Sequence, residues 1–150
     1  MQGELGSLPN FEMNDDKKNL TNPVLAKEFI EQTNIDFLGV SIGNVHLHSK
    51  GKYKIDINLL NEINNNVKIP LVIHGTTGFP KNQISNAINN GVSMFQVGTI
   101  LKNTFYFEVK NFIQNTELNF DIHQYVGSRK KTDFLELGKE KIIILICEYI

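Results

Sequence analysis

Pro70-Leu-Val-Ile-His-Gly-Thr-Thr-Gly78 is the stretch on which the fold turns. A short apolar run that ends in a histidine and opens into small residues reads as a buried parallel strand handing a side chain to a loop. His74 is therefore the residue to explain. Behind it, Gly75, Thr76, Thr77 and Gly78 lead into a helical pattern with Pro80 near its first turn, where free backbone N–H groups can hold an anion. The alternative is that His74 is hydrogen-bonded at a strand end and does nothing more.

Outward from this stretch, strand and helix patterns alternate. Gln2-Gly-Glu-Leu-Gly6 is too short to establish a strand by itself, and Glu4 stands out among its small and apolar neighbours. Ser7 to Leu20 has loop composition and carries Glu12 between Phe11 and Met13, a linker or a flap. Thr21 is the expected N-cap of a helix over Pro23–Gln32, and Phe37–Gly43 reads as a buried strand. Its end delivers Asn44 to Gly51, a polar loop with His46, His48 and Lys50. Ile55–Asn65 is a helix with Leu59, Leu60 and Ile63 on one side, and Ile69–His74 is the strand already quoted. A helix is expected over Lys81–Asn90, closed by Gly91, then a strand over Ser93–Val97. Thr99–Gln114 is helical, and Thr132–Ile150 reads as helix with an Ile-Ile-Ile-Leu-Ile run of open type.

Strand, loop and helix thus recur at a spacing of roughly 25 to 35 residues, which demands a parallel sheet with helical crossovers and an α/β fold class. In such a sheet the strands' C-terminal ends share one side, so Glu4, His46, His74 and Gly98-Thr99 can converge. Two imidazoles and a carboxylate suit Zn²⁺ with one position open. Gly75–Gly78, Gly98-Thr99 and Lys50 offer an anion its partners.

The composition narrows the remaining choices. With 150 residues, 41% of them apolar, the chain can bury one real core. Fifteen basic against 16 acidic residues give a formal net charge of -1, so nothing electrostatic points to nucleic acid or an anionic membrane as partner. One cysteine, Cys147, forms no internal disulfide, and neither a signal segment nor a membrane-spanning run is present, so a cytoplasmic setting is expected.

At this point the residues resemble the class II, metal-dependent fructose-bisphosphate and tagatose-bisphosphate aldolases, the ketose-bisphosphate aldolases in general. The matching stretches are Glu4-Leu-Gly, Leu20-Thr-Asn-Pro23, Val40-Ser-Ile-Gly-Asn-Val-His46, Lys50-Gly51, Leu71–Gly78, Phe95-Gln-Val-Gly-Thr99 and Tyr125-Val-Gly-Ser-Arg129. The resemblance implies a TIM (β/α)8 barrel in which Zn²⁺ assists reversible aldol cleavage of a ketose bisphosphate to dihydroxyacetone phosphate and an aldehyde. By position it makes His46 and His74 zinc ligands, with Glu4 beneath the metal, and Glu12 the flap base for proton transfer. It lays Leu47, Lys50, Gly75, Thr76, Thr77, Gln96, Val97, Gly98 and Thr99 along the dihydroxyacetone phosphate cradle, whereas His48 matches nothing.

The chain departs from the family pattern at several of these positions. Leu47, Thr76 and Gly98 replace Gly, Gly and an Asn or Asp; Thr77 replaces Ser, Gln96 an Asn, and Ile100 an acidic residue, while Pro9 and Asn10 replace the flap's glycine pair. The chain corresponds to about the last four βα units plus C-terminal helices, a single partial domain over residues 1–150. The resemblance implies that the units supplying the third zinc histidine and a catalytic aspartate lie outside this chain, so the chain alone is expected to be inactive and to need an N-terminal half or self-association. The alternatives are a degenerate half-barrel kept as a phosphate-binding or assembly module, and an unrelated doubly wound domain, for which no Gly-x-Gly-x-x-Gly or P-loop is present.

Overall fold

The computed structural model describes residues 1–8, 20–45, 54–115 and 134–147. The chain divides into two compact units, Met1–Gly98 and Thr99–Ile150. In the first, β1 (Gln2–Leu5), β2 (Phe37–Val40), β3 (Leu71–Ile73) and β4 (Val92–Phe95) form one sheet in the order β1-β2-β3-β4. All three pairings are parallel. Helices α1 (Pro23–Thr33), α2 (Ile57–Asn66) and α3 (Ile84–Asn89) lie between consecutive strands in sequence, as parallel pairing requires. Four-residue β1 is a true strand, because its register to β2, Gln2 opposite Phe37 through Leu5 opposite Val40, adds a ladder that its own length could not stabilise.

Period-two alternation gives the sheet two different faces. Leu38, Val40, Leu71, Ile73 and Val92 join Ala26 of α1, Leu60 and Ile63 of α2 and Ala87 of α3 in one buried cluster. Each such Leu or Ile contributes about 1.5–3 kcal/mol when fully buried, so this face holds the unit together. The other face is set by the pairs Glu4 with Gly39 and Gly39 with Val72, and it carries the polar side chains discussed below.

Several element boundaries differ from the sequence-based expectation, each for a local reason. Asn22, not Thr21, caps α1: its Oδ1 accepts from the N–H groups of Val24 and Leu25 at 2.9 and 3.1 Å. Thr21 is buried instead, donating its hydroxyl to the Leu5 carbonyl (2.6 Å) and accepting from Ser41 N–H (2.8 Å), which ties the ends of β1 and β2 together. At α2, Asp56 is the cap, with Oδ1 accepting from Leu59 N–H at 2.9 Å. The single helix expected over Lys81–Asn90 is shorter: tight 3₁₀ turns cover Thr76–Gly78 and Lys81–Gln83, and α-helix begins only at Ile84. A residue before proline is driven out of the helical region. Phe79 accordingly sits at φ -64°, ψ 127° and Pro80 at φ -63°, ψ 120°, so both are extended. Phe79 is buried and meets Phe95 edge to face, with centroids 5.4 Å apart.

The second unit contains α4 (Thr99–Asn115) and α5 (Phe134–Cys147). The Ile-Ile-Ile-Leu-Ile run is therefore helical. A Cβ at Gly138 would lie 2.3 Å from Cδ2 of Phe105, so the absent side chain is what lets that ring close on α5. Among the described residues, no helix is long and apolar enough to cross a membrane.

Candidate functional site at the carboxyl ends of the strands

His74 follows directly after β3, and its ring is 18% exposed. Its Nε2 lies 3.0 Å from Oε1 of Glu4, which stands two strands away on β1 and is 60% exposed. Side chains on alternate strands meet only if the strand between leaves room. Gly39 of β2 leaves that room: a Cβ there would be 2.9 Å from Glu4 Cγ and 3.4 Å from both Cδ2 and Nε2 of His74. An isolated glycine in an apolar strand signals such a close approach, and this is the signal by which Gly39 could have been found in the sequence.

The main chain of His74 is held from the neighbouring loop. Asn44 is fully buried; its Nδ2 donates to the His74 carbonyl at 2.8 Å and its Oδ1 accepts from Ile42 N–H at 2.9 Å. One side chain thereby joins the chain leaving β2 to the chain leaving β3. Asn44 and Gln2 are functional neighbours that the sequence reading passed over. Gln2, at the start of β1, places Nε2 2.9 Å from Nε2 of His74, and its Oε1 accepts from Nε2 of Gln96 at 3.0 Å. Gln96 follows β4, where its N–H extends the ladder to the Ile73 carbonyl at 2.9 Å.

A cavity of about 120 Å³ opens beside this group, with Glu4, Ser7, Gly39, Ser41 and His74 in its wall. The structure thus brings together Glu4, His74 and Gln96 of the expected site residues. Thr76 is buried and donates its hydroxyl to the Gln96 carbonyl at 2.8 Å, so that hydroxyl fastens the β3 loop to the end of β4. Gly75 precedes the first 3₁₀ turn and Thr77 lies within it; Val97 and Gly98 follow β4, and Thr99 opens α4 in the second unit. Glu12, His46, Leu47, His48 and Lys50 lie outside the described residues.

The donor chemistry is a fair test of whether a metal suits this place. Among the described residues, no three His, Cys, Asp or Glu side chains converge. Glu4 and His74 do supply one carboxylate oxygen and one imidazole nitrogen, 3.0 Å apart. Two donors bound at roughly 2.0–2.1 Å to a tetrahedral Zn²⁺ stand about 3.4 Å apart. The pair therefore fits as two ligands of one ion after an outward shift of a few tenths of an ångström by an exposed glutamate.

The four-stranded parallel sheet with its helices is similar in fold to about half of the α/β barrel of solved aldolases. The YdjI aldolase from Escherichia coli K12 matches with a TM-score of 0.63 at 26% identity, over 94% of this chain and 42% of that one. Fructose-bisphosphate aldolase from Campylobacter jejuni matches with a TM-score of 0.66 at 20% identity, over 97% of this chain and 49% of that one. The family profile of class-II fructose-bisphosphate aldolase matches residues 1–148, and the chain belongs to that family. It spans less than half the length of each of these two aldolases.

Proposed function

We propose that this chain provides the C-terminal half of a zinc-dependent ketose-bisphosphate aldolase, cleaving a phosphorylated ketose to dihydroxyacetone phosphate and an aldehyde. The observation that carries the reading is the 3.0 Å approach of His74 to Glu4 across Gly39. His74 and Glu4 would hold the ion, with His46 joining them by family position. When bound, Zn²⁺ supplies Lewis-acid polarisation of a carbonyl oxygen.

The chain's own residues do the remaining work in this reading. Asn44 fixes the backbone from which the His74 ring projects. Gly75, Thr76, Thr77 and the Gln96–Gly98 segment surround the phosphate end of the substrate, and Lys50 adds a positive charge. Glu12 moves the proton at the carbon next to the carbonyl. An N-terminal half, or a second copy of the chain, supplies the remaining strands in a cytoplasmic enzyme, with residues 1–150 acting as one partial domain.

A second reading has specific support. The Thr76 hydroxyl and the Gln96 carboxamide are both bonded within the protein, so neither is free to orient a substrate for cleavage, which favours a half-barrel kept as a phosphate-binding or assembly module whose chemistry is lost. Zinc content and cleavage of fructose 1,6-bisphosphate, measured with and without a co-expressed N-terminal half, separate the two. Cleavage that appears only with both halves and is lost in His74→Ala supports the aldolase. Equal cleavage by wild type and His74→Ala removes the metal assignment, and zinc-free phosphate binding without cleavage establishes the module.

A further inference from the structure

We infer that Gln2 is a positioning residue that selects the tautomer of His74, leaving Nε2 without a proton beside the Glu4 carboxylate. The inference rests on the metal reading above for its purpose, but its physical content lies in the metal-free chain.

A neutral imidazole nitrogen either donates or accepts a hydrogen bond. Two groups compete for Nε2 of His74: the Gln2 carboxamide nitrogen, which only donates, at 2.9 Å, and the Glu4 carboxylate, which when ionised only accepts, at 3.0 Å. The orientation of Gln2 decides the contest. Gln96 Nε2 faces Met94 Sδ at 3.8 Å, a weak acceptor that marks this end of Gln96 as the donor, and it donates to Gln2 Oε1 at 3.0 Å. With its oxygen taken by Gln96, Gln2 presents only N–H to His74. Nε2 is then the acceptor and the proton sits on Nδ1.

Nε2 and Glu4 Oε1, 3.0 Å apart, are consequently both electron-pair donors with no proton between them, an arrangement that a cation relieves. If Gln2 were absent, the best partner left for Nε2 would be the carboxylate. The proton would move to Nε2 and donate to Glu4 in a charge-assisted bond of roughly twice the strength of a neutral one. Zinc would then have to break that bond and displace the proton, whereas now it has only to push aside one exposed amide. Partners of this kind govern both the tautomer and the metal affinity of ligand histidines.

The test uses the full chain, isotopically labelled and metal-free, at a pH where the imidazole is neutral. Nitrogen–proton spectra of the ring, assigned with His74→Ala, should show the Nδ1–H tautomer in wild type and the Nε2–H tautomer in Gln2→Ala. In Gln2→Ala combined with Glu4→Ala, which removes the competing acceptor as well, the Nε2–H population should fall back to the intrinsic preference of an unpartnered imidazole, below its level in Gln2→Ala alone. Titration with Zn²⁺ alone against a chromophoric chelator should show about 3- to 10-fold weaker binding in Gln2→Ala, the worth of roughly one hydrogen bond. A wild-type ring already protonated on Nε2, or one tautomer shared by wild type and Gln2→Ala, overturns the inference. Unchanged zinc affinity in His74→Ala would overturn the metal reading instead, and the tautomer measurement would still decide the role of Gln2.

Discussion

Substituting Gly39→Ala should separate the stability of the sheet from the integrity of the site. The new Cβ would stand 2.9 Å from Glu4 Cγ and 3.4 Å from two atoms of the His74 ring. Carbon atoms in comfortable contact sit about 3.5–4.0 Å apart, so Glu4 must withdraw by roughly 0.6–1 Å. It can do so freely, because it is 60% exposed and its carboxylate can turn into solvent. Crowding of this size costs about 1 kcal/mol at the low end of overpacking, and exchanging glycine for alanine returns about 0.4–1 kcal/mol through the unfolded chain. Net stability should change by less than about 1 kcal/mol. Zinc affinity should fall by about tenfold or more, the usual cost of disturbing a ligand's support. Urea unfolding would measure the first quantity and chelator competition the second. In a Glu4→Ala background the Gly39→Ala effect on zinc should shrink to the smaller part that comes from the 3.4 Å contacts with the His74 ring. Undiminished zinc binding in the single variant, or an equal loss in both backgrounds, would refute the reasoning.

Other positions give equally direct tests. Asn44→Ala leaves the Ile42 N–H and the His74 carbonyl without their partner and should cost about 2–6 kcal/mol in urea unfolding, at roughly 1–3 kcal/mol per unmet group. Thr21→Val keeps the shape but removes the partner of the Leu5 carbonyl and of the Ser41 N–H, for a loss of about 2–6 kcal/mol on the same scale; a change below about 0.5 kcal/mol would deny that Thr21 joins β1 to β2. Leu60→Ala, in the centre of the core, should lose about 2–5 kcal/mol with an unchanged denaturant slope. Asn22→Ala should cost about 1 kcal/mol in urea unfolding through loss of the α1 cap.

How much of this could be read in advance follows from the physics of each feature. Alternating apolar runs and helical faces announced a parallel sheet, and the His74 strand end announced itself because a histidine closing Leu71-Val-Ile73 breaks an otherwise apolar run. The Glu4–His74 meeting was legible only as a shared side of the sheet. Its closeness depends on the register that puts Glu4 opposite Gly39, and register is a property of two strands together. Gln2 and Asn44 were not singled out for the same reason: a glutamine in a short polar-apolar alternation and an asparagine in a loop look ordinary until the backbone delivers their partners, 72 and 30 positions away. The Thr21 and Asn22 exchange shows a tertiary demand overriding a local one. Both can cap a helix, and the one with carbonyl and amide partners on the sheet was drawn into the interior. Pro80 does stand at the first turn, as the sequence suggests, but the turn over Lys81–Gln83 is 3₁₀ and α-helix begins only at Ile84, a distinction that hydrophobic period alone does not make.

The hold that Asn44 keeps on His74 has a practical meaning for protein engineering. Because it grips the carbonyl and leaves the imidazole alone, position 74 behaves as a socket whose seating is independent of what is plugged into it. A cysteine or aspartate installed there would project from the same anchored backbone beside Glu4, so a softer or harder cation could be selected by changing one side chain while the surrounding scaffold stays as it is.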